Sequence, residues 1–582
     1  MVAAVVVLVG SLIASGLVYD HKRVLTYLGL AGVLWQVTWL TLTFLERVVF
    51  PAETSAQVLF IGSFVFLISA LITLRFRSIR LPFGRGHHDL VGEGAIMLVL
   101  LVVLGAASLI WRVNGFQDHA WITHGFFNGD TVTFMALTQR SLNETGLVQQ
   151  NPFNANESLE YPTLLHAGMA NIFRDLSEGS GWLYFLPTLT YIWIFITVPM
   201  FFLLWEVVIG KTVASLWQQL LIPSVTILYL AAVSWDTYIY PQSHFFLTGL
   251  FLFDVFCFTR AFSTLHDKRL LEILGALTTV ILLLSNAISG TVAVALAVTY
   301  CLLRRQPYYL CAAIIFIALF FVATPGNAAF GWPHFSYTAG YDMLRLSPIV
   351  AVILAAAFWK RVTLPHISAA ITVITGLAFV TFFFSQRNIV VENASRFFYH
   401  GALVGFPLVG MAIPLLWSYV KRVLRGFQIS SPQSIITLFL LLGAVGLLLL
   451  PAGTSVVSAH DNLMRKDTQD IDTATRLGLW WIEDNTTHNA VFLASPEAPF
   501  AIPAFTGRSL LRTNYWLSQQ DSVFADIEAA FRGDKAAQEQ VLPAADYVFL
   551  TAKERASFEP LPDSYTKVFD SRAIVIYEIP KQ

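Results

Sequence analysis

The sequence has little charge and almost no cysteine. Only 13% of its 582 residues are charged, and 36 Lys and Arg residues are balanced by 37 Asp and Glu residues. Without a basic surplus, the chain has no bulk attraction for nucleic acid or acidic polymers. The three cysteines, Cys257, Cys301 and Cys311, lie in apolar stretches without metal-ligand spacing, which argues against a disulfide framework and a zinc site.

Hydrophobic residues are abundant instead. They make up 56% of the chain, and the mean hydropathy is +0.64. These values exclude a single water-soluble globule and predict a mainly α polytopic membrane protein. Since a helix needs about 20 apolar residues to cross the hydrocarbon layer, we predict about fourteen spans, near residues 2–18, 24–45, 55–74, 93–111, 182–205, 214–233, 245–259, 271–285, 289–303, 308–324, 347–359, 367–385, 399–419 and 434–452.

Basic residues predict the orientation, because cytoplasmic connections retain Lys and Arg. They concentrate in every second connection, starting with Lys22 and Arg23. The run 2–18 is predicted to be a retained span, since basic residues follow it and none precedes it. We expect a multi-pass protein of the plasma or cytoplasmic membrane with both termini outside. The pair of spans around Asn286 is also compatible with a re-entrant hairpin.

Two segments on the predicted outside are too long to be simple connections. One is the loop 112–181, and the other is the tail after the last span. We therefore divide the chain into a transmembrane domain, 1–453, and an extracytoplasmic domain, 454–582. The tail alternates helical and strand-like patterns, which predicts a small α/β domain. Its predicted elements are the helices 473–484 and 521–531 and the strands 490–494, 546–551, 565–569 and 573–579.

The outer loop contains two predicted helix starts. Gly129-Asp130 precedes an amphipathic stretch, and Tyr161-Pro162 precedes a second one that contains His166. Proline suits the first turn of a helix, because its missing N–H would have no partner there. We expect two helices along the outer membrane face, with Asp130 and His166 at or near their N-terminal ends.

This pattern resembles the first external loop of the GT-C superfamily, the integral-membrane glycosyltransferases that use polyprenyl-phosphate-linked sugars. In many members an Asp opens the helix after an early span, and a Tyr-Pro or Tyr-His pair followed by a His begins the next. The tail helix that contains Trp480 and Trp481, followed by the strand 490–494, is also similar to the tails of several prokaryotic members. The chain differs in having three spans before the one that leads into the loop.

The resemblance implies an inverting transfer of a hexosyl or pentosyl group on the outer face. A polyprenyl-phosphate sugar would be the donor, and a glycan, lipid or protein would be the acceptor. Asp130 would take the proton from the acceptor hydroxyl. An Asp at this position also caps a helix well, and the two roles are compatible. No Asp-x-Asp or Asp-Glu pair occurs at Asp130. The sequence therefore identifies no cofactor, and it neither requires nor excludes a divalent metal.

Other polar residues of the predicted outer face are candidates for substrate binding. The leaving phosphate needs a cation, and the connection 385–400 supplies Arg387, Arg396 and His400. An interfacial arginine also contacts lipid headgroups, which is the alternative interpretation. Asp236 and His244 lie in an aromatic-rich connection that also has the composition of an interfacial belt. Tyr161 and His166 complete the candidate set.

A membrane transporter or lipid flippase with an accessory outer domain is the alternative function. Transporters place polar groups near the membrane midplane and often have matching halves. In this sequence the charged residues concentrate at the outer ends and no halves match, which favours the enzyme. Asp254 lies within a predicted span and is expected to pair with Arg260. A non-catalytic assembly or sensor protein is a third hypothesis, in which Asp130, His166 and Arg396 need not converge.

Overall fold

Long helices form the N-terminal half of the protein. The computed structural model describes residues 2–19, 23–50, 55–76, 90–113, 115–117, 120–122, 129–148, 150–157, 159, 161–174, 182–209, 220, 223–224, 227–228, 243–263, 268–304, 473–495, 501–513, 522–558, 561 and 564–580. The apolar runs form α1 (Val2–Val18), α2 (Val24–Phe44), α3 (Ser55–Phe76) and α4 (Leu90–Val113). The loop contributes a short hairpin of β1 (Gly115–Gln117) and β2 (Ala120–Ile122), then α5 (Gly129–Asn143) and α6 (Leu164–Phe173). The apolar helices α7 (Trp182–Ile209), α8 (Ser243–Ser263), α9 (Lys268–Ser285) and α10 (Ala287–Arg304) follow.

The apolar helices give the chain the character of a membrane protein. Among the described residues, five helical stretches are long and apolar enough to cross a bilayer: Val24–Val49, Gln57–Arg75, Leu90–Leu109, Thr188–Val207 and Phe245–Phe262. Ile61 on α3 and Leu98 on α4 are 59% and 64% exposed. Large apolar side chains that face outward over several turns suit a lipid environment.

The predicted spans agree with the observed helices wherever the structure describes them. The runs 2–18, 24–45, 55–74, 93–111, 182–205, 245–259, 271–285 and 289–303 each correspond to one of these helices. The predicted spans 308–324, 347–359, 367–385, 399–419 and 434–452 lie outside the described residues, as does most of 214–233.

Polar contacts distinguish the two ends of the bundle. At the start of α2, Arg23 lies 3.5 Å from the carboxylate of Glu206 near the end of α7. Tyr19 donates to the same carboxylate (3.2 Å), and Arg260 of α8 lies 5.4 Å from the centre of the Tyr19 ring. We name this the Arg23 end. The opposite end of α2 contacts α6 and the outer loop, and we name it the loop end.

Helices α9 and α10 fold back on each other at Asn286. The Tyr300 hydroxyl donates to Glu272 (2.6 Å), two residues equally distant from the turn along the chain. A Cβ at Gly290 would lie 2.3 Å from the Cα of Leu283, so only glycine permits this approach. Each helix has 18 residues and is therefore about 27 Å long.

The C-terminal part is a small α/β fold. Its sheet has the order β4-β3-β5-β7-β6, in which β3 pairs in parallel with β4 and β5, and β7 pairs antiparallel with β5 and β6. The strands are β3 (Val491–Ala494), β4 (Ser509–Leu510), β5 (Tyr547–Thr551), β6 (Thr566–Asp570) and β7 (Ile574–Glu578). The helices are α11 (Thr473–Asn485), α12 (Ala501–Thr506), α13 (Ser522–Phe531), α14 (Lys535–Val541) and α15 (Ala552–Phe558).

Four strands and two helices of this domain form where the sequence predicts them. The helices α12, α14 and α15 and the strand β4 were not predicted, because elements of seven residues or fewer carry little periodic signal. The sequence analysis was wrong about Pro162, which was expected in the first turn of the second loop helix. That helix begins at Leu164 after the N-cap residue Thr163, so Tyr161 and Pro162 precede it.

Candidate functional site

Helix α5 is polar in sequence yet buried on all sides. Every residue from Thr131 to Ser141 is buried. This stretch includes the polar side chains of Thr131, Thr133, Thr138, Gln139, Arg140 and Ser141. Buried polar groups need hydrogen-bond partners, so α5 requires contacts on each face. The bundle, α6 and the C-terminal domain supply them.

His166 joins α6 to α5. Its side chain is fully buried, its ring centre lies 5.1 Å from that of Phe134, and its Nδ1 lies 3.3 Å from the Thr138 hydroxyl. Burial lowers the pKa of His166 to about 3, although a hydrogen bond to the backbone of Phe134 acts in the opposite direction. The imidazole is therefore neutral at physiological pH and serves as a hydrogen-bonding contact between the two loop helices.

Tyr161 connects this pair to the turn of the α9–α10 hairpin. Its ring centre lies 6.1 Å from that of His166, and its hydroxyl lies 3.5 Å from Nδ2 of Asn286. The Oδ1 of Asn286 accepts from the backbone of Ser289 (3.1 Å) in the first turn of α10. The hairpin turn and the start of α6 thus meet at the loop end.

A charged network at the end of α2 holds the C-terminal ends of both loop helices. Arg47 lies in a π-helical turn, Leu45–Val49, a feature often found at functional sites. It donates to Oδ1 of Asn171 (2.8 Å) and to the carbonyl of Ser141 (3.2 Å). Glu46 accepts from Asn171 (2.5 Å) and lies 3.5 Å from Arg174. A cation at the C-terminal end of α5 also complements its dipole.

Arg140 attaches α5 to the C-terminal domain. The residue is 2% exposed, and its guanidinium donates to groups from the loop that follows α5 and from the C-terminal domain. The acceptors are Glu144 Oε1 (2.6 Å), Gln150 Oε1 (2.5 Å), the carbonyls of His488 (2.7 Å) and Gly507 (3.2 Å), and Asn489 Oδ1 (3.1 Å). Ionised donors make stronger hydrogen bonds than neutral ones, so this is a strong connection between the two parts.

Backbone contacts extend the same interface. Gly507 has φ +69°, and a Cβ there would lie 3.0 Å from the Gln139 carbonyl carbon, so glycine allows the close approach to α5. Leu510 donates to the Pro152 carbonyl and accepts from the Ala155 N–H, both at 2.9 Å. Further along, Arg512 forms a 2.7 Å ion pair with Glu157.

Glu483 lies at the same interface, opposite Gln139. Gln139 Nε2 donates to Glu483 Oε1 at 3.3 Å. Burial is the main cause that raises the pKa of Glu483 to about 7; Arg508 lowers it and Asp484 raises it further. Arg508 is 1% exposed and donates to the backbone carbonyls of Thr506, Glu483 and Thr486, so it fixes the end of α11 against α12.

The structure brings some of the predicted site residues together. Tyr161 and His166 contact each other, and His166 contacts Phe134 and Thr138 of α5, the helix whose second residue is Asp130. His244 is the second residue of α8. Asp236, Arg387, Arg396 and His400 lie outside the described residues. Within the described part of the chain, no three His, Cys, Asp or Glu side chains are grouped to hold a metal ion.

The expected partner of Asp254 was wrong. This fully buried carboxylate accepts from Thr279 (2.9 Å), whereas Arg260 lies over Tyr19. Residue 254 is near the middle of α8, less than two turns before Arg260. The hydroxyl of Thr279 on the adjacent helix α9 is its hydrogen-bond donor instead.

The residues that hold the loop helices and build the interface were not predicted from the sequence. They are Arg47, which contacts the loop helices, and Gln139, Arg140 and Arg508 at the interface. Gln139, Arg140 and Ser141 form a polar run inside a helix of the loop. That run was the one available signal.

Comparison with known proteins adds no relatives. No family model matches this chain, and no curated protein matches it. A function for the chain is therefore proposed from its own residues.

Proposed function

We propose that this protein is a GT-C-like membrane glycosyltransferase. It transfers a hexosyl or pentosyl group from a polyprenyl-phosphate donor to a glycan, lipid or protein acceptor. The reaction inverts the anomeric centre and takes place on the extracytoplasmic side, where the termini also lie. The full architecture has about fourteen transmembrane helices, an outer catalytic loop at 112–181 and the C-terminal domain above it.

The observation that carries this proposal is the position of α5. A polar helix that begins with Gly129 and Asp130 is buried between the loop end of an apolar bundle and the C-terminal α/β domain. Burying so many polar groups is unfavourable unless they find partners, and α6, Glu144, Gln150 and the C-terminal domain supply partners to Thr138, Gln139 and Arg140. Such a helix provides a rigid support for a reactive group at its N-terminal end.

The chemistry requires a base, a cation and access from the lipid. Asp130 takes the proton from the acceptor hydroxyl as that oxygen attacks the anomeric carbon and the bond to the lipid phosphate breaks. The N-terminal end of α5 stabilises the carboxylate form. Arg396 and Arg387 neutralise the charge that develops on the leaving phosphate. The polyprenyl chain remains in the bilayer, next to the apolar surfaces of the helices.

One observation favours a transporter or flippase as the second candidate. Asp254 is fully buried near the middle of α8, and among the described residues its Oδ2 has no hydrogen-bond partner. Carboxyl groups within the membrane are typical of proton relays and ion pathways. The proposed enzyme mechanism does not use this group.

An assay of the native protein and Asp254→Asn in proteoliposomes distinguishes the enzyme from the transporter. Radiolabelled polyprenyl-phosphate hexoses and pentoses are supplied with extracted envelope lipids, glycans and proteins as acceptors. We expect one donor to label an acceptor, and Asp254→Asn to retain that transfer within about threefold, since it is remote from the proposed chemistry. Absence of transfer from every donor, together with translocation of a labelled lipid that Asp254→Asn abolishes, would favour the transporter.

A further inference from the structure

Gln139 and Glu483 form a polar pair across the interface between α5 and the C-terminal domain. Gln139 is 2% exposed, and its Nε2 donates to Glu483 Oε1 at 3.3 Å. Within the described part of the protein, its buried Oε1 has no hydrogen-bond partner. An ionised carboxylate can only accept hydrogen bonds, whereas a protonated carboxyl group also offers one O–H donor. Only the protonated form of Glu483 can therefore satisfy both ends of the Gln139 amide.

We propose that Glu483 binds a proton when the C-terminal domain docks on α5, and that it then forms a two-hydrogen-bond acid–amide pair with Gln139. The amide N–H donates to one carboxyl oxygen, and the carboxyl O–H donates to Gln139 Oε1. The proton comes from bulk water. This inference concerns docking and does not depend on the proposed enzymatic function.

The charged groups around Glu483 come from several elements. Arg508, between α12 and β4, opposes protonation, and Asp484 on α11 favours it. On α5 the neighbour of Gln139 is Arg140, whose guanidinium is bonded to the acceptors described above. His488 follows α11, and burial, Arg508 and Arg140 lower its pKa. Strand β7 presents the apolar Ile574 to α11 near Gly478.

The direction of the pH dependence follows from the pKa of Glu483. It rises from 4.5 to about 7 in the docked protein. The docked state therefore binds more protons, and docking is strongest below pH 4.5. Between pH 4.5 and about pH 7 the equilibrium constant for docking falls by about tenfold per pH unit, and at higher pH it is constant. His488 acts in the opposite direction, because its protonation at low pH adds positive charge beside Arg508 and Arg140.

Hydrogen exchange of the full-length protein in detergent micelles tests this inference. The amides of Leu510 and Ala155, whose hydrogen bonds cross the interface, report docking after correction for the intrinsic exchange rate. Between pH 5 and pH 8 we expect their protection in the native protein to fall by at least about tenfold. Glu483→Gln, which is neutral at every pH and keeps the hydrogen bonds, is expected to remain protected throughout.

Two variants serve as controls. Asp484→Asn removes the adjacent exposed carboxylate, and His488→Asn removes the other group that titrates nearby. Both are expected to retain the fall in protection. The inference is overturned if native protection is constant between pH 5 and pH 8, if Glu483→Gln keeps the native pH dependence, or if His488→Asn abolishes it.

Discussion

Asp130→Asn is expected to reduce sugar transfer by about 10²- to 10⁴-fold, the range typical of losing a general base. Asparagine has nearly the same size as aspartate and is equally suited to helix starts. It cannot take a proton from the acceptor hydroxyl at neutral pH. The loss should therefore appear in the rate of transfer at saturating donor, while α5 stays folded. The measurement is the proteoliposome assay with the donor that the native protein uses.

Glu539→Gln provides the matched control, because Glu539 is exposed on α14 and belongs to the C-terminal domain. It is expected to transfer sugar at the native rate. Equal transfer by Asp130→Asn and the native protein would remove Asp130 from the mechanism and leave it the role of an acidic residue that stabilises the first turn of α5.

Arg140→Met is expected to release the C-terminal domain from α5. The substitution keeps much of the apolar stem but leaves the buried carbonyl of Gly507, the half-buried carbonyl of His488 and the side chain of Glu144 without their donor. Breaking a buried ionic network in this way costs about 3–5 kcal/mol. That cost corresponds to a loss of protection at the Leu510 and Ala155 amides of about two to four orders of magnitude. Native-state hydrogen exchange measures it directly.

Arg532→Met is the control for this substitution. Arg140–Glu144 and Arg532–Glu528 are both Arg–Glu pairs four residues apart in sequence, but the Arg532 side chain is 76% exposed. Exposed pairs of this kind contribute about 0.3–0.5 kcal/mol, so protection at the interface should not change. Native protection of the Leu510 and Ala155 amides in Arg140→Met would show that the Arg140 guanidinium does not hold the C-terminal domain on α5.

Local features of the fold are predictable from the sequence, because they depend on neighbouring residues. Apolar runs located eight helices to within a few positions. Arg23 and Arg260, two of the basic residues predicted on one side, lie at one end of the bundle, where Arg23 pairs with Glu206 and Arg260 lies over the ring of Tyr19. Periodicity likewise predicted α11 and the strands β3, β5 and β7, because each presents an alternating or helical apolar face.

Contacts between distant segments are not predictable in this way. Gln139 and Glu483 are 344 residues apart, and no periodic pattern relates them. Candidate cations were predicted only in the connection 385–400, which lies outside the described residues. Arg47 at the end of α2 and Arg140 of α5, which hold the loop helices, were not predicted. Both arginines resemble ordinary interfacial or surface residues in sequence, and only the folded chain shows their buried acceptors. The partner of Asp254 was missed for the same reason.

The most direct test of the central claim is to locate the donor lipid on the protein. A polyprenyl phosphate with a diazirine next to the phosphate is photolysed with the reconstituted protein, and the labelled peptides are identified by mass spectrometry. We predict label within residues 129–174 and 385–400 that unlabelled polyprenyl phosphate competes away. Label confined to the middle of α8 and α9 around Asp254, or to the apolar surfaces of α3 and α4 without competition, would contradict the account.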